Sequence, residues 1–147
     1  MTAGAETLLR TRRTPLARWS PPLRWLSGAV FLVFGIGKFA AHGEEVEAFA
    51  AYGLPAPEAF VYLVGTLEIV AGALLLAGLL TRFAALALTG NMAGAIVVSG
   101  IGEGEVLPSL TLAPALLAAM LFLLWVGPGE RALDARVLRA RLAPGPR

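Results

Sequence analysis

The sequence predicts an all-α membrane protein: a bundle of four transmembrane helices, antiparallel and up-down, with both termini cytoplasmic. Three observations carry that expectation. First, 57% of the 147 residues are hydrophobic and only 15% are charged, against about 25% charged in soluble domains. Second, four apolar runs cover residues 23–41, 59–80, 83–101 and 107–127. Each is close to the roughly 20 residues that a helix needs to cross about 30 Å of hydrocarbon. Third, charge is segregated. With four crossings every arginine falls on one side: Arg10, Arg12, Arg13, Arg18 and Arg24 before the first run, Arg82 between the second and third, and Arg131, Arg136, Arg139, Arg141 and Arg147 in the tail. The other side carries Glu44, Glu45, Glu47, Glu58, Glu103 and Glu105. Three or five crossings would scatter the arginines over both faces, and the positive-inside rule then places both termini in the cytoplasm. This bias suits a bacterial cytoplasmic (inner) membrane.

The elements follow in order. Residues 1–18 read as a mobile basic arm and 19–129 as the four-helix membrane domain. The first run could be a signal peptide, but Lys38 breaks it and no small-x-small pattern precedes His42. Between runs one and two, Val46, Phe49 and Ala50 recur at helical spacing opposite Glu44, Glu45 and Glu47, which predicts a short helix on the outer surface. Gly53-Leu54-Pro55 ends it. Runs two and three are joined by little more than Thr81-Arg82, so they are antiparallel neighbours. In run three, Gly90 and Gly94 form a small-xxx-small pair; Gly28 and Gly35, and Gly65 and Gly72, are spaced by seven. Such residues let helices approach closely. Pro114 predicts a kink in run four, with Ser109 or Thr111 serving the freed carbonyl. Met92 and Met120 read as core or lipid-facing. Residues 130–147 read as a basic interfacial tail, in which Arg131, Arg136, Arg139 and Arg141 meet anionic lipid or a partner protein. Trp19, Trp25 and Trp125 fall at the cytoplasmic ends, and Tyr52 and Tyr62 near the outer face, as interfacial aromatic belts do.

Function has fewer signals. There is no cysteine, which removes disulfide, thiol and iron–sulfur chemistry and thiolate zinc sites. A single histidine, His42, cannot make a bis-histidine haem within one chain. No metal-ligand cluster, nucleophilic triad, phosphate loop or nucleic-acid motif is present, so no catalytic residue can be named. A charge at mid-membrane costs about 2.5–3.5 kcal/mol, which singles out Glu68 in run two; Asn91 in run three lies at similar depth. Each Cβ tilts towards its helix N-terminus. Lys38, on a helix entering from inside, therefore leans towards the midplane, and Glu68, on a helix entering from outside, leans up to meet it. The expected result is a Lys38–Glu68 pair with Asn91 beside it, either as polar glue between helices or as a ligand pocket. Lys38 snorkelling to the outer headgroups is the alternative. His42 sits at the outer edge, either simply solvated or assisting a ligand.

Run one ends in Gly35-Ile36-Gly37-Lys38-Phe39, and Gly53-Leu54-Pro55-Ala56-Pro57 approaches run two. Glu68 is followed by Ala71-Gly72-Ala73-Leu74 and then Gly78-Leu79-Leu80-Thr81-Arg82. Run four exits through Gly127-Pro128-Gly129-Glu130-Arg131-Ala132-Leu133-Asp134. In this order, with four spans, the chain resembles the DoxX family of small membrane proteins from Arg24 to Asp134. The resemblance implies a four-helix membrane bundle, and it implies one of several roles: a membrane subunit of a quinone-linked oxidoreductase, thiosulfate–quinone types included, an anchor of an antioxidant complex, or an assembly helper. Carried over by motif, Lys38 and Glu68 are the site positions. The lack of cysteine counts against disulfide exchange. Three functional readings follow: a subunit of a redox complex holding a quinone at Lys38, Glu68, Asn91 and His42, with electrons supplied by a soluble or membrane redox partner; a non-catalytic scaffold or assembly factor; and a small transporter using Glu68, which would need a homo-oligomer.

Overall fold

A backbone in lipid must satisfy its amides within the protein, in helices or in a closed barrel, and here each apolar run coils into helix over most of its length. The computed structural model describes residues 10–142, with side chains as far as 137. After a 3-10 turn, Pro15–Trp19, come α1 Ser20–Ala40, α2 His42–Ala51, α3 Pro57–Ala77 and α4 Thr81–Ala95. A π-helical segment, Ile96–Gly102, continues α4. Then follow α5 Leu112–Val126 and α6 Leu133–Leu142. Among the described residues there is no strand. The stretches Pro15–Ala40, Pro57–Ala77 and Thr81–Gly102 are long and apolar enough to cross a membrane, whereas Leu112–Val126 is apolar but shorter. Leu26, Val33, Ile36, Leu63, Leu86 and Val97 point outward and are exposed, an apolar surface that lipid tails cover and water does not.

The fourth run departs from its expected bounds. Residues 107–111 form turns, and the helix begins at Leu112. Pro114 therefore lies in the first helical turn, where its missing N–H costs no hydrogen bond, and the expected kink has no cause. Ser109 does not serve a freed carbonyl; its hydroxyl bonds to Glu105 and Ser99.

Glycine sets the closest helix contact. A Cβ on Gly28 or on Gly72 would stand 2.9 Å from the other residue's carbonyl oxygen, and one on Gly35 would stand 2.9 Å from Gly65 O. The heptad-spaced glycines of α1 and α3 thus face each other and draw the two helices together. Gly90 and Gly94 do not behave so. A Cβ at either meets nothing within 4 Å, because both border a cavity. Phe31, Leu75, Leu88, Met92, Met120 and Leu123 are buried together, and Phe31 and Met92 also border that cavity.

At the end of the bundle where α1 begins, Arg24 is not a headgroup cation. It is 1% exposed, and its Nη1 donates to Leu75 O at 2.6 Å and Leu76 O at 3.1 Å, carbonyls of the last turn of α3, where the helix itself supplies few donors; Leu75 O also takes the Gly78 N–H at 3.1 Å. The next corner is held from the tail. Asp134 accepts the Leu80 and Thr81 amides at 2.8 and 2.9 Å, and its own N–H donates to Gly78 O at 2.9 Å. Residues 10–18, expected as a free arm, are tied to the same end. The Arg12 N–H donates to Val126 O at 2.8 Å, Arg82 Nη2 donates to Arg10 O at 3.3 Å, and just beyond, Ser20 Oγ donates to Gly127 O at 2.6 Å. The reason is again the unmet carbonyls of a helix end, here that of α5. In the tail, Arg131 and Arg136 are exposed; the side chains of Arg139 and Arg141 lie outside the described residues.

Candidate functional site

Lys38 lies in the last turn of α1, Glu68 midway along α3 and Asn91 on α4, and the Cβ tilt that predicts their meeting brings them together. Lys38 Nζ is 3.7 Å from Glu68 Oε2. Asn91 Nδ2 donates to Glu68 Oε1 at 2.9 Å. Glu68 is 4% exposed. Lys38 does not snorkel away: its Nζ also lies 3.6 Å from Glu45 Oε2 on α2, so one ammonium bridges a buried carboxylate and one nearer the surface. His42 is not part of this group. It opens α2, where the chain folds back over α3, and its ring lies 4.8 Å from that of Tyr62 with Nε2 3.8 Å from Glu58 Oε1.

The three residues line a cavity of about 540 Å³ between the helices, within the size range of small-molecule sites. Phe31, Phe34, Met92 and Leu116 give it apolar walls. Gly90 and Gly94 give it room. α2 lies along it through Glu45, Ala48, Phe49 and Tyr52, a stripe at i, i+3, i+4 and i+7. The face expected from the sequence was Val46, Phe49 and Ala50. The helix is rotated from that expectation because Lys38 draws Glu45 inward and Tyr52 reaches Glu105.

A second polar group meets the cavity near α2. Tyr52 Oη donates to Glu105 Oε1 at 3.3 Å. Ser109 Oγ donates to Glu105 Oε2. Ser99 Oγ lies 2.6 Å from Ser109 Oγ and donates to Ala95 O at 2.9 Å. Burial, and then the Glu105 charge, push the Tyr52 hydroxyl above the usual phenol range. The π-helical turns make this group possible: they bring Gly100 so near Leu110 that a Cβ there would stand 2.8 Å from that side chain, and Ser99 with it to Ser109. Wide turns of this kind recur at functional sites. Sequence reasoning missed Glu45, Tyr52, Ser99 and Glu105 as cavity residues. Charges in outer loops read as solvated, and the one available signal was the pair of serines flanking the third loop.

The arrangement can hold a molecule with an apolar, ring-sized body and a polar head against Glu68. Residues 21–100 match the DoxX family. The membrane protein Rv3486 of Mycobacterium tuberculosis is 37% identical over 138 residues, covering 85% of each chain. CatD of Bacillus subtilis, which is named as a presumed oxidoreductase, is 32% identical over 75 residues, 51% of this chain and 54% of that protein. No solved structure matches the chain. By the family match and by an alignment that runs through most of the Mycobacterium relative, the chain is a membrane protein and belongs to the DoxX family.

Proposed function

We propose that the chain crosses a bacterial cytoplasmic membrane four times, with both termini inside, and serves as the membrane subunit of a redox complex by holding a quinone-type molecule in the cavity. For the fourth crossing, α5 rises only about 22 Å. The turns at 107–111 complete the path, and they line the cavity through Pro108 and Ser109. Irregular backbone at membrane depth is tolerated where it lines a cavity or is covered by protein. The observation that carries the ligand reading is the cavity itself, apolar-walled, with a buried Glu68 held by half-buried Lys38 and Asn91. The likeness to CatD supports a redox context. With no cysteine in the chain, electrons come from a partner, and the chain's own residues bind and orient.

Native mass spectrometry of the protein released in mild detergent tests this. The expected result is a retained quinone-sized molecule that is lost in Gly94→Leu, a substitution that fills the cavity where no atom stands in the way. A stoichiometric protein partner with no small ligand would overturn it in favour of a scaffold. The exposed Arg131 and Arg136 would then be the first surface to test.

A further inference from the structure

The membrane face of α4 has a gap in it. Phe83, Leu86 and Val97 stand exposed along that face. Gly90 follows Leu86 by four residues and Gly94 precedes Val97 by three, spacings that keep them on one side of the helix. Both glycines are exposed, as their bulky neighbours are, so the side of α4 that meets lipid is bare over one turn. Behind a bare turn one expects a packed wall. Here both glycines border the cavity, and a Cβ on either would meet no atom within 4 Å. The cavity therefore reaches the membrane face of the bundle at this turn. Gly28 and Gly72 show the contrast, since a neighbouring helix fills the place of each missing Cβ.

The opening lies deep. Counted from Thr81, Gly90 and Gly94 stand roughly 14 and 20 Å along the helix, well inside a hydrocarbon layer about 30 Å thick. Acyl chains face it there, not water or headgroups. On the loop side the same cavity meets α2, which is pinned at both ends. Glu45 lies 3.6 Å from Lys38, and Tyr52, just past the helix, donates to Glu105 at 3.3 Å. The cavity, at about 540 Å³, has the size for a ring-bearing head and leaves no place beside it for a long apolar tail.

We propose that the ligand of this cavity is a long-tailed, membrane-dissolved molecule that enters and leaves sideways from the bilayer, its ring inside and its tail passing out across Gly90 and Gly94. The proposal rests on the quinone-type reading above. It adds the class of molecule within that reading, and it makes the two glycines determinants of specificity: a side chain at either position stands in the path of the tail.

The test uses the full chain in lipid nanodiscs, with empty nanodiscs correcting for partition into lipid, and two probes that share one head. They are a dimethoxy-methyl-benzoquinone without a tail and the same ring with a decyl tail. Gly90→Leu puts a branched side chain into the opening without meeting any atom of the fold. Calorimetric titration should show it weakening the decyl probe about tenfold or more, the scale of forcing extra methylenes into a filled pocket, while the tailless ring binds as in the wild type. Ala93→Leu, exposed on the same helix but not bordering the cavity, should change neither. Equal weakening of both probes by Gly90→Leu would place that residue against the ring and overturn the proposal, leaving the quinone-type site standing. Weakening of neither would do the same, because the tail would then leave by another path or lipid chains would fill the opening. If neither probe binds the wild type, the quinone-type reading itself falls.

Discussion

Arg24 shows how a single residue changes meaning between chain and fold. In the sequence it is one more cation before an apolar run. In the fold its guanidinium is buried against the end of α3, and the Asp134 carboxylate lies within electrostatic range. The two residues fasten the α3–α4 corner from opposite sides, one filling carbonyls and the other filling amides. Removing the guanidinium takes a charged donor from two buried carbonyls, and each buried polar group left unmet costs about 1–3 kcal/mol. Arg24→Met should therefore lower the thermal unfolding midpoint in detergent sharply. Arg18→Met, at an exposed position on the same end, should leave it within error. Equal small shifts for the two would mean that Arg24 is a headgroup cation after all. Nothing in the sequence distinguished the two arginines. Their neighbours along the chain are alike, and the carbonyls that claim Arg24 lie about 50 residues away.

At the scale of elements, the glycines divide into two kinds that spacing alone does not separate. Gly28 and Gly72 have each other's carbonyls at van der Waals limits, while Gly90 and Gly94 face open space. Overpacking a tight contact costs about 1–3 kcal/mol. Gly28→Val should destabilise the protein by that amount, and Gly90→Ala should not, since a helix gains from replacing glycine by alanine. Thermal unfolding of the two variants in the same detergent decides it; a Gly90→Ala loss equal to that of Gly28→Val would place a helix against α4 where the cavity now stands. The existence of α1, α3 and α4 was legible because length and hydropathy act within a segment. So was the meeting of Lys38 and Glu68, which depends only on helix direction and depth. What was not legible depended on partners. The rotation of α2 is fixed by Lys38 and Glu105, both outside it. The late start of α5 follows from the turns at 107–111, whose polar groups are met by Ser99 and Glu105. An apolar run gives the same hydropathy whether it coils from its first residue or its sixth.

Among the described residues, the arginines gather at one end, and Glu45, Glu58 and Glu105 lie at the other. Contacts bring Arg10, Arg12 and Arg82 beside Val126 and Gly127, and they bring Glu45 and Glu105 together with Lys38 and Tyr52 at the far end. In a membrane with a negative interior such a polarity has one favoured orientation, arginines inward, because those flanks resist translocation. The natural absence of cysteine makes this directly measurable, since any thiol introduced is the only one. Gly43→Cys opens α2 at an exposed position with nothing against it. Arg131→Cys lies exposed at the other end. With intact bacterial cells whose outer layer is permeable to small reagents, a membrane-impermeant maleimide should label Gly43→Cys at once, and Arg131→Cys only after the inner membrane is opened. The reverse pattern would invert the protein and with it the side from which the cavity is reached. Labelling of both in intact cells would mean that α5 does not cross, leaving three spans and the two ends of the chain on opposite sides.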